Sequence, residues 1–240
     1  MKIGLLNAYI CDPDPNSYQH TYAPMFRHFF SEQVSATWSL KEYRITQGEW
    51  PETIDECNGW MIGGSPKSVY DGDSWIIELI AFAKECHQHK KPLVGICFGH
   101  QLIAQALGGK VKKSEKGWGV GLRNFSMIGT KPFMDEQRTN CSLLFSHQDQ
   151  VDELPKEAEL LATDSFCPNQ IYTIGNHILS IQGHPEFTTR YMRDRLESRK
   201  ALIGDQSYQT ACASLTTPAD SALLGSWIHA FFASTISIHN

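Results

Sequence analysis

A cysteine flanked by glycines separates an apolar run from an amphipathic stretch in the segment GICFGHQLIAQALGG, residues 95–109. Gly95-x-Cys97-x-Gly99 has the spacing of a nucleophile elbow, a sharp strand-to-helix turn whose small residues let the central side chain project. A helix beginning just after Cys97 directs N–H groups and its positive dipole end at the sulfur, which favours the thiolate. Taken by itself, however, the segment still favours a buried core thiol, the commoner state of an intracellular cysteine.

A base for this thiol is suggested by the segment SIQGHPEF. His184 ends an apolar run, Pro185 holds the preceding residue extended, and Glu186 follows two residues after the histidine. Residues i and i+2 of a near-extended chain lie on the same side, so Glu186 can hold the imidazole in the tautomer that accepts a proton from Cys97. We therefore predict a triad with the chain order Cys97, His184, Glu186.

The elements needed to position these groups follow from the apolar pattern. Short branched runs predict strands at 2–7, 36–45, 59–64 and 91–98, with helix-like periodicity at 21–33 and 73–90. This alternation predicts a parallel sheet covered by helices. Between about 110 and 182 strands joined by polar turns predict an antiparallel extension, with one hairpin turn at Gly175 and Asn176. A helical tail is expected from about residue 188, through 188–203, 207–214 and 219–234.

Composition limits the classes of protein that remain. The 240 residues are 41% hydrophobic and 20% charged, which is typical of one globular domain, predicted to span 1–240. The net charge of −5 comes from scattered residues, so neither nucleic acid nor a membrane surface is an expected partner. The start lacks the pattern of a signal peptide and no apolar run is of membrane-spanning length, which predicts a cytoplasmic protein.

The sequence has seven cysteines, including Cys11. They form no C-x-x-C pair and no cluster at zinc spacing, so we expect reduced thiols. The segment ECHQHKK (85–91) contains potential metal ligands, but helical spacing does not gather four of them, and no metal or cofactor is predicted.

The two motifs together resemble those of class I glutamine amidotransferases, whose triad is the Cys of C-x-G-x-Q and the His and Glu of H-P-E. The resemblance extends to about residue 190 and is nearest to the amidotransferase domain of GMP synthase, including small stand-alone proteins of that type. It is carried by GGSPKSVYD (63–71), SHQDQVDELP (146–155), SFCP (165–168) and GHPEF (183–187), in the order of that domain. It implies a flavodoxin-like α/β fold, with a mostly parallel sheet flanked by helices.

Further site residues follow from the resemblance. It implies that Gln101 binds the substrate and that Ser146 and His147 belong to the loop around the substrate's amino-acid end. The backbone N–H of Phe98 is one expected oxyanion donor. The second falls at Gly64 or Ser65, because Gly-Ser-Pro stands here where GMP synthases have Gly-Gly-Pro; both are kept, since a serine is strained if the position needs positive φ.

Three functions remain open. In the first, Cys97 attacks the γ-amide of glutamine, giving a γ-glutamyl thioester and ammonia for a separate synthetase; the chain has no P-loop or pyrophosphatase-type loop of its own. In the second, the same triad acts as a γ-glutamyl peptidase or hydrolase. In the third, the chain is a catalytically silent binding or regulatory module, which the intact triad disfavours. Oligomeric state is left open, because the apolar stripe at 223–232 suits either a dimer or the chain's own core.

Overall fold

The computed structural model describes residues 1–9, 22–34, 36, 38–135 and 138–237. The helices in these residues are α1 (Tyr22–His28), α2 (Ser74–Gln88), α3 (Phe98–Ala106), α4 (Thr189–Ile203), α5 (Asp205–Ser214) and α6 (Ser221–Ser237). The strands are β1 (Lys2–Leu6), β2 (Ser39–Tyr43), β3 (Gly59–Ile62), β4 (Leu93–Ile96), β5 (Lys110–Lys113), β6 (Gly119–Met127), β7 (Asn140–His147), β8 (Asp149–Glu153), β9 (Ala158–Thr163), β10 (Ile171–Ile174) and β11 (Ile178–Ile181).

Nine of the strands form one sheet in the order β2-β1-β3-β4-β11-β10-β9-β6-β7. The first five strands are parallel to their neighbours, and the remaining four extend the sheet with antiparallel pairs. This confirms the predicted mostly parallel sheet with an antiparallel extension. The order of the first five strands is that of a doubly wound, flavodoxin-like sheet, in which ligand sites form beyond the carboxyl ends of the strands.

The hairpin between β10 and β11 forms where it was predicted, but its turn has three residues, 175–177, and of the two predicted turn residues only Gly175 has positive φ. Ile174 pairs with Ile178, and Gly175 has the positive φ of 53° that the turn requires. The hairpin matters for the site because β11 lies beside β4, with Ile181 opposite Ile96. The segment after β11 is therefore carried to the end of β4 at which Cys97 follows.

Both faces of the sheet are covered by apolar clusters. One contains Leu79 of α2 and Leu102 of α3; the other contains side chains of α1, α4 and α6. The central strands are buried throughout, as expected when helices cover both faces of a parallel sheet.

The apolar stripe of α6 belongs to the core of its own chain. Trp227, Phe231 and Phe232 are at most 2% exposed and pack in the same cluster as the central strands. The six cysteines of the described residues are free thiols, and Cys11 lies outside that part of the chain. None of the described helices is long and apolar enough to cross a membrane.

Candidate active site

The chain turns sharply between β4 and α3, at Cys97. This residue has φ 53° and ψ −99°, and positive φ among non-glycine residues of the described chain occurs elsewhere only at Lys90. A strained backbone at a residue that follows the end of a strand is typical of functional positions. The N–H of Cys97 donates to the carbonyl of Ile181 at 2.9 Å, which ties the turn to the end of β11.

The flanking glycines are required by the close approach of the backbone. A Cβ on Gly95 would lie 2.6 Å from the carbonyl oxygen of Gly99, and a Cβ on Gly99 would lie 2.2 Å from that of Ile62. The obstacles are backbone atoms, which cannot rotate away as a side chain can. The helix therefore leaves the strand at an angle that only glycine permits at these two positions.

Replacement of Gly99 by alanine is expected to destabilise the fold, although alanine is intrinsically the better helix former by about 1 kcal/mol. The steric overlap with Ile62 should outweigh that preference and lower the free energy of unfolding by roughly 2–3 kcal/mol. Gly48→Ala is the matched control, because Gly48 has φ 81° but open space around it, and should lose only about 1 kcal/mol. Denaturant unfolding measures both; a G99A protein as stable as the unaltered chain would contradict the proposed crowding.

His184 and Glu186 are in direct contact. The imidazole Nδ1 lies 2.6 Å from Oε1 of Glu186, and both residues are almost fully buried. The imidazole also stacks on Phe187, with ring centroids 3.8 Å apart and planes 7° from parallel. The backbone at 185–186 is a turn, so the expectation of an extended chain there is wrong. The turn instead brings the Glu186 carboxylate into contact with the imidazole.

The proton affinity of His184 is set by two opposing effects. Burial disfavours the charged imidazole, but the Glu186 carboxylate and the hydrogen-bonded sulfur of Cys97 outweigh it and raise the pKa of His184 to about 9. Because Nδ1 of His184 contacts Glu186, the other ring nitrogen, Nε2, is the one available to the thiol of Cys97. The sulfur, the imidazole and the carboxylate thus form one contiguous chain of contacts, suited to thiolate–imidazolium chemistry.

A cavity of about 380 Å³ opens beside the sulfur. Five parts of the chain line it: the elbow with the start of α3, the loop after β3, the residue before β6, the junction of β7 and β8, and the end of α4. The lining residues are Ser65, Pro66, Lys67, Ser68, Cys97, Phe98, Gln101, Trp118, Ser146, His147, Gln148, Asp149, Arg199 and Leu202. The volume falls within the range of about 300–1,000 Å³ that is usual for small-molecule sites. All three residues expected to bind substrate, Gln101, Ser146 and His147, are in this lining.

Gln101 is held by the protein itself. Its Nε2 donates to the carbonyl of Asp149 at 2.7 Å and to Oε1 of Gln182 at 3.1 Å. Since an amide nitrogen has two protons, both donors are used, and the carbonyl oxygen Oε1 is the group through which Gln101 can meet a ligand.

His147 is also fixed by the β7–β8 connection. Its Nδ1 lies 3.0 Å from the Asp149 carbonyl oxygen. Burial lowers the pKa of His147 to about 4, with only partial compensation by that backbone contact. The ring is therefore neutral at physiological pH and forms part of the cavity wall.

Two of the expected oxyanion donors, Phe98 and Ser65, line the cavity that contains the thiol. Phe98 begins α3, where the N–H groups of the first turn have no acceptor within the helix. Ser65 lines the same cavity, whereas Gly64 is buried beside it. Ser65 has no positive φ, so the backbone strain considered from the sequence is not present. A serine is thus compatible with this loop conformation.

Comparison with known proteins agrees with this geometry. The family model for class I glutamine amidotransferases matches residues 25–202. The chain belongs to the class I glutamine amidotransferase family. Among its relatives, γ-glutamyl peptidase 5 of Arabidopsis thaliana is 33% identical over 82% of each chain. A glutamine amidotransferase-like protein of Schizosaccharomyces pombe is 30% identical over 92% of this chain and 94% of its own. The resemblance found in the sequence motifs is confirmed.

The fold of this chain is shared with solved structures of far lower sequence identity. A glutamine amidotransferase of Thermotoga maritima superposes with a TM-score of 0.74 and covers 98% of each chain, at 19% identity. At this identity the comparison supports the fold alone. It agrees with the flavodoxin-like strand order derived above.

Other histidines of the described chain make structural contacts. His100 is fully buried, its Nδ1 lies 2.8 Å from Oγ of Ser180, and burial lowers its pKa to about 3. His87 of the ECHQHKK segment contacts His177 at 3.1 Å between ring nitrogens. No group of three or more metal-binding side chains occurs among the residues that the structure describes.

Trp118 and Arg199, which line the cavity, were not identified from the sequence. Trp118 directly precedes β6, and Arg199 lies on α4. Arg199 contacts Ser146, which is 53 positions away in the chain. The only local signal for Arg199 is its position on α4 after GHPEF, and Arg190, Arg193 and Arg195 share that signal. Sequence reasoning had no means of choosing among them.

Proposed function

We propose that this protein hydrolyses γ-glutamyl amide bonds through a thioester on Cys97. The observation that supports this most directly is the chain of contacts from the Cys97 sulfur through His184 to Glu186. It stands at the carboxyl end of β4, beside a cavity of ligand size. Membership in the amidotransferase family agrees with the same chemistry.

In the first step the thiolate of Cys97 attacks the γ-carbonyl carbon, and the carbonyl oxygen becomes an oxyanion. The N–H of Phe98 and that of Ser65 or Gly64 donate to this oxygen, where fixed donors stabilise developing charge. The imidazolium of His184 gives its proton to the leaving nitrogen, the C–N bond breaks, and an amine or ammonia departs. Glu186 holds the ring and stabilises its positive charge.

In the second step water replaces the amine. Neutral His184 takes a proton from the water, the resulting hydroxide attacks the thioester carbonyl, and the C–S bond breaks. Glutamate leaves, the proton on His184 remains, and the thiolate–imidazolium pair is restored. We place the amino-acid end of the substrate against Ser146, His147 and the Oε1 atom of Gln101.

A γ-glutamyl peptide is the substrate class that we favour. Exposed Leu202 and half-buried Trp118 line the cavity and offer apolar surface to a leaving group. A relative with 33% identity is named a γ-glutamyl peptidase. Glutamine is the second candidate, supported by the family of the chain, and its hydrolysis would give ammonia to a separate synthetase.

A substrate panel tests the proposal and separates the two candidates. The purified protein is assayed with glutamine, with γ-glutamyl-alanylglycine and with its α-glutamyl isomer, and both glutamate and ammonia are measured. We expect glutamate without ammonia from the γ-linked peptide, and kcat/KM at least about 10-fold above that for glutamine. The α-linked isomer should not react, because its scissile carbonyl is two methylenes nearer to the α-carbon.

The other outcomes have defined meanings. A preference for glutamine, with equal amounts of glutamate and ammonia, supports the amidotransferase function instead. No release of glutamate from either γ-linked substrate would contradict the proposed hydrolase and favour the catalytically silent module.

A further inference from the structure

Arg199 brings a partly buried positive charge to the wall of the cavity that contains Cys97. Residues 189–203 form α4, and Arg199 on its last turns is only half exposed. Its Nη1 donates to Oγ of Ser146 at 3.3 Å, and its guanidinium lies 5.4 Å from the centre of the Trp118 ring. These contacts hold the guanidinium at the cavity from two sides.

The other charges at the cavity are already paired or engaged. Lys67 forms an ion pair with Asp73 at 3.0 Å. The carboxylate of Asp149 accepts hydrogen bonds from Ser68 at 2.5 Å and from Tyr70 at 2.9 Å. Arg199, in contrast, pairs with no carboxylate in the described part of the chain.

The electrostatic surroundings of Arg199 favour an incoming anion. Burial, followed by the neighbouring Arg195, lowers the pKa of Arg199, so an anion placed beside the guanidinium would reduce the cost of holding this charge. An arginine nevertheless remains protonated at physiological pH and presents five donors in a planar fork. One donor contacts Ser146, which leaves others for a bidentate carboxylate.

We propose that Arg199 binds a carboxylate of the γ-glutamyl substrate. This rests on the proposed function for the identity of the ligand. Two carboxylates have the required chemistry, the α-carboxylate of the glutamyl unit and the C-terminal carboxylate of a peptide leaving group. Both are anionic, planar and within the same small molecule. The site thereby selects γ-glutamyl compounds that retain the corresponding free acid.

Binding is tested without turnover, in a Cys97→Ala background. Isothermal titration calorimetry compares γ-glutamyl-alanylglycine with two blocked forms, one a C-terminal amide and one an α-carboxamide on the glutamyl unit. We expect Arg199→Gln to weaken binding of the free acid by about 30-fold or more, as for loss of one partner of a buried charge pair. Arg199→Lys keeps the charge but not the fork and should lose less.

The blocked ligands identify the source of the carboxylate. The ligand lacking the carboxylate that Arg199 contacts should bind weakly to the parent protein and be insensitive to Arg199→Gln, whereas the other blocked ligand should remain sensitive. Arg193→Gln is the matched control, because Arg193 is exposed on the same helix, and it should leave all affinities unchanged. Thermal unfolding verifies that each variant is folded.

Specific results would overturn the inference. Equal losses for all three ligands, or no loss for any, would mean that Arg199 recognises no carboxylate, and so would failure of the parent protein to bind the free acid. If the wild-type enzyme hydrolyses the peptide while Arg199→Gln has no effect on affinity, this inference fails and the proposed function stands. If Arg199→Gln weakens binding of the free acid but the wild-type protein does not hydrolyse the peptide, this inference stands and the proposed function fails.

Discussion

Replacement of Cys97 by serine is expected to abolish hydrolysis of γ-glutamyl substrates, with a loss in kcat on the order of 10⁶-fold. A thiol paired with His184 supplies a thiolate, whereas a serine hydroxyl in the same place stays protonated and is a poor nucleophile. Steady-state assays of released glutamate measure the loss. Acid-quenched samples analysed by mass spectrometry should contain a γ-glutamyl adduct in the unaltered enzyme and none in the variant.

Cys212→Ser is the control for this experiment. Cys212 is a free, partly exposed thiol on α5 and lines no part of the cavity. The control should keep full activity, and both variants should unfold at about the temperature of the parent protein. Retention of substantial hydrolysis by Cys97→Ser would remove the nucleophile assignment and with it the thioester mechanism.

Replacement of Glu186 by glutamine is expected to lower kcat by about 10⁴-fold, the loss known for an orienting carboxylate of a catalytic triad. The isosteric amide fills the same buried space, so the effect should lie in the charge and in the tautomer of His184. Burial alone opposes the imidazolium, and Glu186 is the first of the groups that offset it. The variant should therefore hold the proton on His184 less tightly.

The pH profile distinguishes this explanation from a general loss of structure. With a His184 pKa raised to about 9, the imidazolium is present below that pH and is lost as the pH rises through it. Activity of the unaltered enzyme should fall above about pH 9, and in Glu186→Gln the fall should begin at lower pH. Glu197→Gln, at an exposed position of α4, is the control. An unchanged alkaline limb together with near-normal kcat would contradict the assigned role.

The reasons for the success of the sequence predictions are local. Short apolar runs specified the central strands, and the Gly95-x-Cys97-x-Gly99 spacing specified a turn in which Gly95 closely approaches the carbonyl oxygen of Gly99. The contact of His184 with Glu186 involves residues two apart. The backbone turn that produces it differs from the predicted extended chain, because Pro185 leads into a turn here.

The other site features depend on strands and helices distant in the chain. The resemblance implied that Gln101 binds the substrate, but only the structure shows that its amide nitrogen donates to Asp149 and Gln182, 48 and 81 residues away. The sequence left open whether the backbone at Ser65 needs positive φ, which would strain a serine; the structure of the loop after β3 shows that it does not. Both depend on which strands become neighbours, which a local pattern does not encode.

The amino-acid sequence by itself determined the elbow, the cysteine, histidine and carboxylate available for chemistry, and the parallel sheet that carries them. These follow from short-range sterics and from the period of apolar residues. Only the tertiary structure decided which arginine of α4 reaches the cavity. The contact of Arg199 with Ser146 depends on how α4 packs against the sheet. Short-range rules place the thiol, whereas long-range packing selects the arginine that lines the cavity.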